Sequence, residues 1–333
     1  MRVEIFKLFK EGPILLHIGL RRMDRTSTIV HSDTLFSALS NSLVKLLGEE
    51  KFKTFEEKLI ISSLFIGLRM PNFDILFVPM PDIFIKLPRD RSDQHKRYKK
   101  IQWISLKALG KILNFFDKEN LSINLENLDD FSFLNSKFLV AKEEFEEIKE
   151  EIDFIGTILE PKVSVNRESS VSENLFFQEN LILWPIKTSD NVEIRPFLYF
   201  FKKEEPNLDS IFIPVLNLFI EEGIGGERST GKGTFDYYEK ELTDLPDEGN
   251  LEITLSLTTP MREEVNNLIY YQIIKRDGFV FYNAPKGFRK KVHYKVKEGA
   301  LVKSPYIGEN IDVSPVEELR VISYGKNLGY KFS

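Results

Sequence analysis

Eleven consecutive residues, Gly223-Ile224-Gly225-Gly226-Glu227-Arg228-Ser229-Thr230-Gly231-Lys232-Gly233, hold the residue types best suited to chemistry in this sequence. Glycine reaches positive φ and lets a backbone come close to a ligand. Successive backbone N–H groups in such a loop form a concavity for an anion. Arg228 and Lys232 add charge-assisted hydrogen bonds of the kind phosphate accepts. Nucleoside triphosphates are a poor fit. Residues 226–232 have the spacing GxxxxGK, but Gly233 follows where a phosphate loop needs Ser or Thr for magnesium. That loop and the dinucleotide fingerprint both lie between a strand and the helix after it. Here a helix-like apolar run over 208–222 precedes the glycines and a strand-like run over 234–238 follows. Two readings remain: a backbone contact to nucleic-acid phosphate, or a glycine-rich stop after a helix.

Other segments point the same way. In His31-Ser32-Asp33-Thr34-Leu35-Phe36-Ser37-Ala38-Leu39, Ser32 or Asp33 can cap a helix by accepting a free backbone N–H. An exposed helix N-terminus also binds phosphate. Residues 86–107 carry eight Lys or Arg against two Asp, and Lys96, Arg97, Lys99 and Lys100 stand beside Tyr98 and Trp103. Cations interleaved with aromatics suit single-stranded RNA, although a solvated surface arm has the same composition. Arg167 closes a short alternating run before a Ser-rich stretch, and 289–297 is a second basic segment. The net charge of -5 argues against generic nucleic-acid binding, but a global sum hides charges sorted into patches.

The four histidines, His17, His31, His95 and His293, show no metal spacing, and no metal site or cofactor is expected. No catalytic triad stands out, while metal-free RNA cleavage by a His and Tyr pair stays open. With no Cys there is no disulfide, thiolate zinc site or cysteine nucleophile, which fits a reducing cytoplasm. No apolar run approaches the roughly 20 residues of a membrane helix.

These candidates need a scaffold. Residues 2–9 alternate like a buried strand, with Val3, Ile5 and Lys7 on one face and Phe6 and Leu8 on the other. A helix follows from Ser32, with Leu35, Leu39, Leu43, Leu46 and Leu47 as its apolar face and Gly48 as its stop. Residues 75–85 contain Pro79 and Pro81, which predicts an edge strand or extended loop. Residues 181–184 and 195–201 read as a pair of strands, and 208–222 as a second helix. The order β–α–β–β–α–β with a long basic insertion, about 86–180, is that of a ferredoxin-like unit over 1–244. Residues 245–249 read as a linker, and 245–333 as a smaller β-rich unit. The fold class is therefore α+β.

The helix start at 31–39 combined with the glycine loop at 223–233 resembles the RAMP superfamily of CRISPR proteins. More narrowly, the chain is similar to the fourth subunit of type III-A (Csm) effector complexes. Leu257-Thr258-Thr259-Pro260, Gly278-Phe279-Val280-Phe281, Arg289-Lys290-Lys291, Ile311-Asp312-Val313-Ser314-Pro315 and the ending Tyr324-Gly325-Lys326-Asn327-Leu328-Gly329-Tyr330 extend the resemblance along nearly the whole chain. It implies two ferredoxin-like domains with antiparallel sheets, and a non-catalytic RNA-binding subunit that holds the 5′ repeat-derived tag of the CRISPR RNA (crRNA). The implied neighbours are the large polymerase-cyclase subunit and the repeating backbone RAMP subunit, with no membrane. It assigns RNA contact to Ser32, Asp33, Lys99, Lys100, Arg167, Gly225, Gly226, Arg228, Ser229, Gly231 and Gly233, and the residue types of the basic arm and glycine loop add Lys96 and Lys232. Glu227 departs from the pattern, a carboxylate where the family prefers a basic or polar residue. The alternative on the same fold is a metal-independent endoribonuclease that processes repeat RNA.

Overall fold

The alternation over 2–9 produces a strand, β1 (Arg2–Phe9), that is buried along almost its whole length. The computed structural model describes the chain except Arg21, residues 89–93, Glu126, 166–171 and 281–286, and gives the backbone alone for Leu20 and residues 22–25, 164–165 and 172–174. After β1 come β2 (Ile14–Leu16), α1 (Ser32–Leu47), α2 (Phe52–Lys58), β3 (Phe65–Arg69), β4 (Asp74–Pro79), α3 (His95–Tyr98), β5 (Trp103–Ser105) and α4 (Leu106–Leu113). Next are β6 (Phe131–Phe133), β7 (Phe138–Ala141), α5 (Lys142–Ile148), β8 (Ile155–Val165), β9 (Ser172–Leu183), β10 (Glu193–Lys203), α6 (Pro206–Glu222) and β11 (Tyr237–Asp244). The chain ends with β12 (Leu251–Thr254), β13 (Leu268–Tyr270), β14 (Ile273–Arg276), β15 (His293–Val296), β16 (Leu301–Lys303) and β17 (Gly329–Phe332).

The main sheet runs β6-β7-β5-β4-β3-β10-β1-β11. Its β11-β1-β10-β3 portion is antiparallel throughout. Helix α1 connects toward β3 and α6 connects β10 to β11, and the two helices pack together. Phe6 meets Phe200 and Phe212 at centroid distances of 5.3 and 5.2 Å, so aromatic rings fill the space between sheet and helices.

Charges inside β1 are matched rather than excluded. Glu4, 2% exposed, pairs with Lys202 and Lys240, and Asp209 of α6 meets the same two ammoniums at 3.0 and 3.2 Å. Lys7 reaches Asp74 at 2.7 Å, and Arg69 grips Asp74 and Glu239 through paired hydrogen bonds. Such pairs add little net stability, but removing one partner strands a charge in the core.

Several expectations are corrected. Strand β4 is interior, between β3 and β5, despite Pro79: the proline is its last residue, where the ladder is ending. Leu46 and Leu47 are 47% and 38% exposed, because the last turn of α1 runs past the core that Leu35, Phe36, Leu39 and Leu43 enter. The two strands read near 181–184 and 195–201 do not pair with each other; β9 pairs with β8 and β2, and β10 with β1 and β3. The strand expected over 234–238 starts only at Tyr237. The 86–180 stretch is not a separate basic insertion. It holds 15 Lys and Arg against 18 Asp and Glu, and it contributes β5, β6 and β7 to the main sheet. Tyr98 and Trp103 are buried, so the basic arm offers cations without free rings.

Strands β8 and β9 form a long hairpin rooted on β2. One of its faces, with Glu160, Lys162 and Asn180, turns toward the glycine loop. The other bears Leu159, Leu175 and Phe177, which are 59%, 63% and 51% exposed.

After Asp244 a four-stranded antiparallel sheet, β13-β16-β12-β17, stands with smaller ribbons that include β14 paired to β15. No α-helix occurs among the described residues there, and a single 3-10 segment, Arg262–Asn267, takes the place of the two helices a ferredoxin-like unit requires. Leu251, Ile253, Leu301, Tyr324 and Phe332 belong to the same core as β1 and α1. At the junction Leu245 N–H donates to Met1 O at 2.9 Å and the Met1 ammonium donates to Leu245 O at 2.7 Å. Among the described residues no helix is long and apolar enough to cross a membrane.

Tyr324 is a seam residue. Its ring stacks on Phe36 at 5.1 Å, and its hydroxyl accepts Ile61 N–H at 2.9 Å in full burial. Tyr324→Phe should lower stability by about 1–3 kcal/mol, the cost of an unpaired buried donor. Urea unfolding of this variant should keep one cooperative transition, since both units share one core.

Candidate nucleic-acid interface

The first turn of α1 must find partners for its free N–H groups. The expected side-chain cap at Ser32 or Asp33 is not made; His31 holds the N-cap position without a side-chain bond. Instead Ser63 Oγ accepts Ser32 N–H at 2.7 Å. Ser32, fully buried, uses its hydroxyl across the seam, accepting Leu257 N–H at 3.0 Å and donating to Leu257 O at 3.3 Å. His31 Nδ1 donates to the buried Glu298 carboxylate at 2.9 Å, and Ser63 hydroxyl donates to the same group. Asp33 receives the guanidinium of Arg276 in a two-bond fork, both at 2.8 Å. Burial alone would raise the Asp33 carboxyl, but Arg276 and Lys295 more than offset it and hold it well below the usual carboxylate range.

The glycine loop begins where α6 stops. Gly223 N–H bonds Phe219 O at 2.8 Å, and the chain then crosses itself, with Ile224 N–H on Gly233 O at 2.9 Å. A second crossing runs over β2 and the residue that follows it: Gly226 N–H donates to His17 O at 2.9 Å and Gly233 N–H to Leu15 O at 2.7 Å. Gly225 and Gly233 have φ of 92° and 69°, and a Cβ there would lie 2.6 Å from His17 O and 1.9 Å from Ile224 O. These two glycines are therefore required by backbone crossing. Gly226 lies against the His17 ring. The tip, Arg228, Ser229, Thr230 and Gly231, is exposed.

Lys232 points the other way. It is 6% exposed, with Nζ 2.6 Å from Glu160, 2.7 Å from Glu227 and 3.2 Å from Asn180 Oδ1. Glu227, itself at φ 57°, also meets Lys162 at 3.1 Å. Glu227 thus has a structural role: with Glu160 it clamps the loop to the β8–β9 hairpin through Lys162 and Lys232.

Three segments far apart in sequence line one cleft of about 230 Å³. Asp33 and Thr34 come from α1, Gly225 and Arg228 from the glycine loop, and Arg276, Lys290, His293 and Ser323 from the C-terminal unit. Burial lowers the Lys290 ammonium and the His293 imidazole from their ordinary values. His293 Nδ1 donates to Lys291 O at 3.1 Å, which leaves Nε2 to accept the Ser323 hydroxyl at 2.9 Å. The cleft is polar, with Arg228, Arg276 and Lys290 set against Asp33 and Asp277.

The structure thus brings Asp33, Gly225 and Arg228 together and sets Ser32, Lys232 and Gly233 behind them as framework. Lys96, Lys99 and Lys100 are exposed on and just after α3, which leads into β5, separated from β1 by three strands of the sheet. They do not line the cleft. Arg167 lies outside the described residues. Arg276, Lys290 and His293 were not singled out from sequence. The basic run 289–297 was the available signal for two of them, but nothing in it said which cations would turn toward α1.

The curated Csm4 protein of the CRISPR system of Methanocaldococcus jannaschii is 30% identical to this chain over 335 residues, covering 90% of this chain and 85% of the relative. The chain belongs to the Csm4 family. A family model described as the CRISPR Csm4 C-terminal domain matches residues 247–332. The fold is shared with the solved Csm3–Csm4 subcomplex of the type III-A CRISPR-Cas interference complex, at 24% identity and a TM-score of 0.66, with both chains covered fully. A Csm1–Csm4 cassette in complex with cA4 is also similar, at 16% identity and a TM-score of 0.54 over 100% of this chain and 98% of that one. The RAMP resemblance seen in the motifs is therefore correct.

Lys295 gives this Csm4 chain a pH signature. Its ammonium donates to Tyr324 O, and burial pushes it down to about 8. The unfolded chain keeps that proton until near 10.5, so between about pH 8 and 10.5 the unfolded state binds more protons and stability rises with pH. Chemical denaturation across this window should show a shallower rise for Lys295→Met than for the unaltered chain.

Proposed function

We propose that this chain is a non-catalytic, guide-RNA-binding subunit of a cytoplasmic type III-A effector complex in antiviral defence. It holds the 5′ repeat-derived tag of the crRNA and joins the large polymerase-cyclase subunit to the repeating backbone RAMP subunit. The β11-β1-β10-β3 strands with α1 and α6 are its ferredoxin-like RAMP platform within 1–244, and the β-rich unit over 245–333 completes the RNA-binding face. The carrying observation is the convergence of the α1 start, the glycine-loop tip and the C-terminal basic segment on one polar cleft.

The mechanism is geometric. Arg228 and Lys290 meet phosphates, the crossings at Gly225 and Gly233 present Ser229 and Gly231 at a fixed height, and Lys96, Lys99, Lys100 and Arg167 serve as further phosphate contacts. Solved relatives that share the fold were captured with Csm3 and with Csm1, which supports the two protein neighbours.

A second reading, a metal-independent endoribonuclease for repeat RNA, draws on His17. Its ring folds against Gly226 of the loop, and its Nδ1 donates to Glu179 O at 2.9 Å, which leaves Nε2 as a base. Incubation of repeat RNA with the chain in chelator should leave the RNA intact; cleavage abolished by His17→Ala would favour the nuclease instead.

For the RNA-binding reading, Arg228→Ala and Lys290→Ala should each weaken binding of single-stranded tag RNA. Each should also reduce the steepness of log K against log salt by roughly 0.7, the share of one phosphate contact. Unchanged slopes in both variants would count against the cleft as the RNA site.

A further inference from the structure

Asp33 presents a puzzle in a cleft that takes RNA, because an unmatched carboxylate would repel phosphate. Its bonding gives it another task. Arg276 Nε donates to Asp33 Oδ2 at 2.8 Å, and Nη2 donates to Asp33 Oδ1 at 2.8 Å and to Thr34 Oγ1 at 2.9 Å. This two-bond fork fixes the guanidinium plane, which a single contact could not do. Nη1 has no partner among the described residues, although Arg276 lines the cleft with Arg228 and Lys290. The other buried charges nearby are already occupied: Glu298 by His31 and Ser63, and Lys295 by Tyr324 O. Asp277 is engaged with Arg289 at 3.5 Å.

We propose that Asp33 is a positioning residue and that Arg276 is the phosphate ligand it positions. The carboxylate holds the guanidinium so that the Nη1 edge is presented, already oriented, to a phosphodiester oxygen of the bound RNA. Orientation in advance removes part of the ordering cost that a free arginine would bear on binding. The inference rests on the RNA-binding reading above and adds to it a second ligand from the C-terminal unit, beside Lys290. It makes a prediction of unusual sign: removing a negative charge from an RNA cleft should weaken RNA binding.

The test uses the full chain and a labelled single-stranded RNA of repeat-tag sequence, with affinity measured across a salt series well below the melting temperature. Arg276→Ala should flatten the salt dependence by one phosphate contact. Arg276→Lys should keep the slope and lose roughly tenfold in affinity, the scale of one charge-assisted bond lost with the fork. Asp33→Asn should lose affinity by a similar factor although the cleft becomes more positive. An Asp33→Asn variant that binds as tightly as the unaltered chain, or tighter, overturns the inference and leaves the pair as a purely structural tie. If Asp33→Asn does not fold, Arg276→Lys decides, and undiminished affinity in that variant overturns the inference equally. An unaltered chain that binds no tag RNA overturns the RNA-binding reading itself, so the two failures are distinguishable.

Discussion

The N–H groups at the start of α1 set the terms for the rest of this molecule. A helix that begins in the interior cannot hand those donors to water, and this one lacks a side-chain cap of its own. Ser63 supplies the acceptor, and Ser63 in turn needs Glu298, which needs His31. Glu298 belongs to the C-terminal unit, so satisfying one helix end draws two sequence-distant units into a single body. The same turn carries Asp33 to Arg276, and the cleft forms where those demands meet. An apolar seam alone would leave the relative placement of the units loosely specified, whereas a chain of charge-assisted bonds tolerates one register.

The glycine loop follows a similar logic at smaller scale. Its backbone crosses both itself and the segment around β2, so its height over the sheet is set by van der Waals contact. Its lateral position is set by the clamp of Glu227 and Glu160 on Lys162 and Lys232. Only the tip is left free to meet a partner. The loop leaves Arg228 exposed and the α1 network leaves Arg276 partly exposed, each on a firmly held support of the kind that the proposed RNA contact would need.

Much of the scaffold could be read from the chain because periodicity and punctuation act locally. Strand β1, helices α1 and α6 and the stop at Gly223 all follow from apolar spacing and glycine. What escaped is long-range. Pro79 argued for an edge, but the position of a proline within a strand matters more than its presence. Composition could not say that Tyr98 and Trp103 turn inward while Lys99 and Lys100 turn out. Ser32 has the type of a helix cap and serves as a strut to Leu257 because Ser63 had taken the capping role. Lys232 has the type of a phosphate ligand and is spent on two carboxylates, one of which, Glu160, lies 72 positions away. Side-chain type narrows chemistry; only the partners decide its use.

The backbone crossing at Gly225 and Gly233 carries a lesson for comparing relatives. Neither position accepts a Cβ, whatever the chain binds, since the obstruction is the protein's own carbonyl oxygens. A glycine retained at these sites through evolution would record the crossing as faithfully as it would record a ligand. Arg228, Ser229 and Thr230 at the tip carry no such backbone constraint, and on the RNA-binding reading proposed above their variation between lineages would track the RNA that each one reads.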